Sequence, residues 1–192
     1  MRQVILASGS PYRRQLLDRL GLPYSAQAPD VDETPSRDES PDAYVERLAR
    51  KKAEALAGEH PDALIIGSDQ AAVIDGHILG KPRTKARAQA QLIRASGRTV
   101  EFLTGIALLD TRSGKLQSDV VPFRVHFRQL DPTAVDRYLE REQPYDCAGS
   151  FKAEGLGIVL FERMEGDDPT ALIGLPLIRL TGMLQDAGLN LP

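Results

Sequence analysis

Apolar residues follow two rhythms along this chain, and the alternation between them outlines the fold. Short unbroken runs such as VILA (4–7) and ALII (63–66) predict strands covered on both faces. After VILA the pattern turns helical. Ser10 is a natural N-cap and Pro11 suits a first helical position, so a helix is predicted from Pro11 to about Leu20, ended by Gly21. APDVDETPSRDESPD (28–42) is acidic, contains proline and lacks large apolar residues, which predicts a long loop, and loops of that length are often functional. Helical spacing resumes over PDAYVERLARKKAEALAGEH (41–60), with Tyr44, Leu48 and Leu56 among its apolar positions and Gly58 near its end.

ALIIGSDQAAVIDGHILGKP (63–82) predicts a buried strand running into a hairpin at Asp75-Gly76. TKARAQAQLIRASG (84–97) predicts a helix capped by Thr84. TVEFLTGIALLD (99–110) and KLQSDVVPFRVHFRQL (115–130) predict two long strands joined through residues 111–114. Asp131 caps a further helix with Pro132 at its first position. CAGSFKAEGLGIVLFERMEG (147–166) mixes loop and strand, and a leucine-rich helix closes the chain. Interleaved helices and strands that include hairpins predict an α/β fold with a mixed sheet, and no internal repeat or low-complexity segment interrupts it.

A length of 192 residues allows one domain, or two small lobes sharing a core. A hydrophobic content of 42% with 27% charged residues is ordinary for a soluble globular protein, and a formal net charge of −3 argues against non-specific binding to nucleic acid or anionic membrane. Any anion site must therefore be local. The single cysteine, Cys147, excludes an internal disulfide, and three scattered histidines offer no zinc-type spacing. The N-terminal apolar run is too short for a signal peptide and no stretch approaches the ~20 apolar residues of a membrane span, so a cytoplasmic location is expected.

Four constellations carry candidate chemistry. In SGSPYRR, strand, serine pair and helix start are followed by Arg13 and Arg14, where the helix dipole favours acidic side chains instead. Exposed N–H groups, the Ser8 and Ser10 hydroxyls and a guanidinium would form a phosphate cradle; a simple cap with solvated arginines is the other reading. It is not a Walker A loop, because no Gly-Lys-Ser/Thr follows. In LIIGSDQ, an apolar strand runs straight into Ser68, Asp69 and Gln70. An ionised carboxylate there is expensive to bury unless paired, which places Asp69 at the mouth of a site or in a turn, and the apolar AAVI that follows disfavours the turn. Lys52, in LARKKAEAL, reads by itself as part of a solvated helix face, whereas Lys81, in LGKP, has its backbone fixed by its neighbours. Asp32 and Glu33 could ligate a hard cation, or be solvated loop acids. Finally, glycines and small residues surround Ser150, Lys152 and Glu154 in CAGSFKAEGLG, which suits a close backbone approach to a ligand or a loop of unusual dihedrals. Together these supply phosphate donors, acidic groups for metal or water, and no obvious covalent nucleophile, which points to metal-assisted attack of water on a phosphate ester or anhydride.

The segments LASGSPYRRQLL, PDVDET, LARKKA, LIIGSDQ, LGKP and CAGSFKAEG, in this order and spacing, resemble the Maf-like nucleoside-triphosphate pyrophosphatases from about residue 3 to residue 184. FERMEGDDPTALIGLPL is similar to the branch described as 7-methyl-GTP pyrophosphatases. The resemblance implies a single domain over residues 1–192, with a central mixed sheet, flanking helices and two lobes around a cleft, often as a homodimer. It implies hydrolysis of a nucleoside triphosphate to the monophosphate and pyrophosphate with a divalent cation, Mg²⁺ or Mn²⁺. It places phosphate-binding roles on Ser8, Ser10, Arg13, Lys52 and Lys81, a general base on Asp69, and the acidic loop residue on Glu33, with Glu33 and Asp69 as the expected metal ligands. Positions that distinguish substrate branches fall on Tyr12, Gln70 and Glu154, and Ser150 and Lys152 are further pocket candidates. Glu154 could accept from the N–H edge of 7-methylguanine and Tyr12 could stack on its cationic ring. The alternatives are a pyrophosphatase for another non-canonical or pyrimidine triphosphate, and a non-catalytic nucleotide-binding regulator of cell division. A nucleic-acid module is disfavoured by the acidic balance.

Overall fold

The computed structural model describes residues 2–191. Seven strands and five helices alternate along it: β1 (Gln3–Ala7), α1 (Pro11–Asp18), β2 (Ser25–Ala26), α2 (Pro41–Glu54), β3 (Ala63–Ile74), β4 (His77–Leu79), α3 (Lys85–Ala95), β5 (Thr99–Asp110), β6 (Lys115–Phe127), α4 (Pro132–Glu142), β7 (Phe161–Glu165) and α5 (Leu177–Asp186). The sheet order is β2-β1-β3-β5-β6-β7, with β4 paired to β3. β1 lies parallel to both β2 and β3, while β3–β4 and β6–β7 are antiparallel, so the sheet is mixed as the sequence predicts.

Local signals set most boundaries. Ser10, Ser40, Thr84 and Asp131 each cap a helix by accepting a backbone N–H through the side chain. Asp75 and Gly76 both have positive φ, as a tight hairpin turn requires. Two helices end earlier than their patterns suggest. α1 stops at Asp18, and the chain tightens into i→i+3 bonds as far as Gly21. α2 stops at Glu54, and a single tight turn over Ala57–Glu59 follows.

The chain divides into two compact units. The first comprises residues up to Gln70, Thr104–Val121 and the segment from Asp168 onward. Its core alternates across the strands with period two. Val4, Leu6, Leu64, Ile66, Ile106 and Leu108 face Leu16 and Leu17 of α1 and Leu180, Met183 and Leu184 of α5. Ile5, Ala7, Ala63, Ile65, Ala107 and Leu109 face Ala49 and Ala53 of α2. Both faces of these strands are therefore covered, which explains the unbroken apolar runs.

The second unit comprises Ala71–Leu103 and Pro122–Asp167. Phe151 sits edge-on to Phe102, Phe127 and Phe161 with ring centroids 4.8–5.6 Å apart, and this aromatic cluster anchors the segment that carries Lys152 and Glu154.

Candidate active site

Glycine brings the first group of site residues together. A β-carbon on Gly67 of β3 would lie 2.0 Å from the Ala49 carbonyl oxygen of α2, and one on Gly105 of β5 would lie 2.2 Å from that of Val45. α2 thus rests directly on two strand backbones, a contact no larger residue permits. This delivers Lys52, in the last turn of α2, to Asp69 in the middle of β3. Lys52 Nζ lies 2.6 Å from Asp69 Oδ1 and 2.7 Å from Glu33 Oε1. Lys52 is only 8% exposed and Asp69 9%, so each compensates the charge of the other where water cannot. The solvated-face reading of Lys52 is overturned: the packing of α2 points it inward. Asp69 is no turn residue either, since β3 runs unbroken through it.

The acidic loop that carries Glu33 is strapped to α2 by Tyr44, which the sequence pattern marks only as an apolar helix position, and by Arg47, which it does not mark. Tyr44 donates its hydroxyl to the Glu33 carbonyl at 3.0 Å, and Arg47 donates to the Thr34 carbonyl at 3.2 Å. Arg47 also forms a two-pronged pair with Glu39, both bonds 2.6 Å, and lies over the Tyr44 ring. The guanidinium lowers the Glu39 carboxyl to about 2. Burial raises the Tyr44 phenol, and the charges of Asp69 and Glu33 push it the same way. Asp32 has a local task, accepting the Thr34 N–H at 2.9 Å. The spacing of Tyr44 and Arg47 on one helix face signals such a strap only once the loop is seen to fold back.

The start of α1 forms the second cluster of this unit. Ser8 is buried, and its Oγ accepts from the Ser10 N–H at 3.1 Å and from Arg13 Nη1 at 3.5 Å. Arg13 Nε donates to the Gly174 carbonyl at 2.7 Å. Among the described residues no carboxylate forms an ion pair with Arg13. Burial pushes its guanidinium below the usual arginine value, with the fields of Asp69 and Glu33 acting in the other direction. A partly buried cation without its own counter-ion beside a helix N-terminus is a place where an anion is stabilised. Arg14 is exposed, and Tyr12, next to Arg13, is half-buried.

Gln70, two residues from Ser68 on β3, directs its amide inward. Its Nε2 lies 3.0 Å from Thr104 Oγ1, 2.7 Å from the Ala171 carbonyl and 3.1 Å from that of Leu172.

Lys81, Ser150, Lys152 and Glu154 all belong to the second unit. Ser150 is fully buried, at φ +64, and donates to Gln91 Oε1 at 2.5 Å, while Gln91 Nε2 donates to the Gly80 carbonyl at 2.9 Å. Ser150 is thus linked through one glutamine to the backbone beside Lys81. Lys152 Nζ lies 3.4 Å from Glu142 Oε1, and Glu142 Oε2 accepts the Leu156 N–H at 2.7 Å. Tyr138 Oη accepts the Lys152 N–H, and burial raises that phenol strongly. Pinned at both ends, the loop leaves Glu154 exposed, and Lys81, after β4, is exposed as well.

Glu33 and Asp69 are the carboxylates that converge, on one ammonium. Among the described residues no group of three or more His, Cys, Asp or Glu assembles as a metal cage. Mg²⁺ usually takes only one or two carboxylates and completes its shell with water and substrate phosphates, so this donor pair fits a hard cation that shares its shell with a phosphate. No helix of the described residues is long and apolar enough to cross a membrane.

Comparison with known proteins shows the family. The sequence model of the family described as Maf-like protein matches residues 3–187. A protein of Pseudomonas syringae pv. tomato named 7-methyl-GTP pyrophosphatase is 58% identical over 192 residues, the whole of both chains. One of Pseudomonas aeruginosa with the same name is 57% identical over the same span, and one of Alkalilimnicola ehrlichii is 61% identical over 185 residues, 96% of this chain and 93% of its own. Among solved structures, the Staphylococcus aureus Ham1 protein superposes with a TM-score of 0.59 at 13% identity, covering 97% of this chain and 100% of its own, which shows a shared fold.

Proposed function

This chain belongs to the Maf-like protein family, and from that premise we propose that it is a nucleoside triphosphate pyrophosphatase acting on 7-methyl-GTP. The products are 7-methyl-GMP and pyrophosphate. The observation that carries the reading is Asp69: a carboxylate held in mid-strand, almost out of water, by a lysine that also reaches the Glu33 carboxylate. A merely structural acid on an apolar strand would need one partner; this one shares its partner with a second carboxylate on a strapped loop. The names of relatives at 57–61% identity support the substrate.

In the reaction, a water oxygen attacks the α-phosphorus and the bridging bond from the α-phosphorus to the β-phosphate oxygen breaks. Asp69 accepts the proton that the water loses, as a general base within hydrogen-bond reach. Arg13, fixed through Nε and Nη1, turns its remaining edge to phosphate oxygens, and the Ser8–Ser10 segment adds hydroxyl and N–H donors. Lys52 draws the carboxylates together and offsets charge on the triphosphate, and Lys81 supplies a further cation. Glu33 and Asp69 would hold a divalent cation, which when bound supplies charge stabilisation to the phosphoryl oxygens. Glu154 accepts from the Watson–Crick edge of the base, and Tyr12 stacks on its cationic ring.

The test is a panel of triphosphates, 7-methyl-GTP, GTP, UTP and other nucleotides, with pyrophosphate release read in Mg²⁺ and in Mn²⁺ for the wild type and Asp69→Asn. Preference for 7-methyl-GTP with activity abolished in the variant is expected. Wild-type turnover in Asp69→Asn would overturn the assignment of the base, and no turnover of any triphosphate would favour a binding protein.

A further inference from the structure

The residues on either side of Asp69 both reach one turn of the chain far away in sequence. β3 alternates its side chains, so Ser68 and Gln70 leave the face opposite Asp69. Ser68 Oγ lies 2.8 Å from the Gly105 carbonyl and 2.9 Å from the Gly174 carbonyl. Gln70 Nε2 reaches the carbonyls of Ala171 and Leu172. Thr104, fully buried on β5, donates its hydroxyl to the Ala171 carbonyl at 2.8 Å and accepts from Gln70. Three neighbouring side chains therefore clasp residues 171–174. The turn ends at Gly174, whose φ of +120 is reserved for glycine, and the Gly174 carbonyl is also the acceptor for Arg13 Nε.

Behind the turn, Asp168 is 3% exposed; it accepts the N–H and hydroxyl of Thr170 and the N–H of Ile178 in the first turn of α5. The 168–174 segment is thus fixed at both ends, and among the described residues the one further side chain from outside that donates a hydrogen bond to it is that of Arg13.

We propose that Ser68, Gln70 and Thr104 are positioning residues that act through the 171–174 turn to set Arg13 against the phosphates. The proposal rests on the reading of Arg13 as a phosphate ligand. It gives the amide N–H groups of Gln70 a task in holding the turn. Three acceptors surround an amide nitrogen that has two hydrogens, so both hydrogens are committed to the turn and Thr104, and Oε1 is the part of the amide left to meet a ligand. Loss of the clasp then weakens turnover of every triphosphate, because all carry the same phosphates.

The experiment combines Thr104→Val, its conservative counterpart Thr104→Ser, and Gln70→Ala with Arg13→Ala. Two readouts are taken: KM and kcat for pyrophosphate release from 7-methyl-GTP and GTP, and calorimetric affinity for inorganic tripolyphosphate, which needs no turnover. Thr104→Val and Gln70→Ala are expected to raise KM and weaken tripolyphosphate binding, between about tenfold and a hundredfold. Thr104→Ser restores the hydroxyl and stays near wild type, and in the Arg13→Ala background the two damaging changes have little further effect. Equal losses with and without Arg13 would overturn the proposal. If the wild type binds tripolyphosphate but hydrolyses no triphosphate, the pyrophosphatase reading fails, and the binding arm still decides the role of the clasp.

Discussion

Lys52 Nζ stands 2.6 Å from Asp69 Oδ1, and the pair exists because Gly67 and Gly105 let α2 lie on the strand backbones. The ion pair is nearly dry, and removing one member of such a pair leaves a charge that neither water nor protein compensates. Lys52→Met keeps the length of the side chain and removes the charge, so Asp69 is left beside Glu33 with no ion-pair partner among the described residues.

The expected cost in stability is about 3 kcal/mol at neutral pH, toward the lower end for breaking a buried pair. Urea unfolding of the variant measures this, and the double variant Lys52→Met/Asp69→Asn should recover most of the loss, because it removes the carboxylate left without its partner.

Gly67→Ala tests the approach of helix to strand. The new methyl cannot fit 2.0 Å from a backbone oxygen, so α2 must move away and carry Lys52 with it. Overpacking of this kind costs roughly 1–3 kcal/mol or more. Pyrophosphate release should fall further than the residual folded fraction accounts for. Gly58→Ala, where a β-carbon meets nothing within 4 Å, is the control and should change little.

The acid limb of stability should report the loop strap. Glu39 has its carboxyl lowered from 4.5 to about 2 by Arg47. A depressed carboxyl contributes stability that is complete above the unfolded value and disappears as pH falls through the folded one. The window therefore runs from about 4.5 down to about 2. In Glu39→Gln the fall in melting temperature across that window should flatten relative to wild type. Asp110, held below the usual carboxylate range by hydrogen bonds from Arg2, adds a second contribution to the same limb and remains in the variant.

Much of this architecture was legible in the chain because its signals are local. The caps at Ser10, Thr84 and Asp131, the Asp75-Gly76 turn and the two-sided apolar runs depend on neighbours a few residues away. The candidate base was legible too, because a carboxylate interrupting the run of β3 demands an explanation. Lys52 was not. On a helix with charges on several faces, only the close approach permitted by Gly67 decides which lysine turns inward. Thr104 and Gly174 were hidden for a similar reason: a threonine in a strand and a glycine after a short turn are commonplace until the fold places them beside Ser68 and Arg13.

Glu154→Gln tests the base reading. The carboxylate is exposed on a loop pinned by Glu142 and Tyr138, so the substitution should leave stability within about 0.5 kcal/mol. A carboxylate accepts from two N–H groups and favours a cationic base, whereas an amide offers one acceptor and no charge. Selectivity for 7-methyl-GTP over UTP, as a ratio of kcat/KM, should drop by about tenfold or more. An unchanged ratio would remove Glu154 from the recognition of the base.

In the proposed reaction, Glu33 is the residue whose substitution would separate cation binding from folding. Its side chain is 58% exposed, and its loop is tied down through backbone carbonyls by Tyr44 and Arg47, so Glu33→Gln should leave the strap and the melting temperature nearly intact. What it removes is one of two charged oxygen donors. A hard cation held by two carboxylates and by substrate loses charge attraction at one ligand, so the concentration of Mg²⁺ giving half-maximal activity should rise by about tenfold or more. Saturating metal should then restore much of kcat, because Asp69, the proposed base, is still in place. Removal of divalent cations with EDTA should abolish pyrophosphate release in wild type and variant alike, and re-addition should restore it. If Glu33→Gln instead lowered kcat at every metal concentration with the midpoint unchanged, Glu33 would act on the Lys52–Asp69 pair and not on the cation.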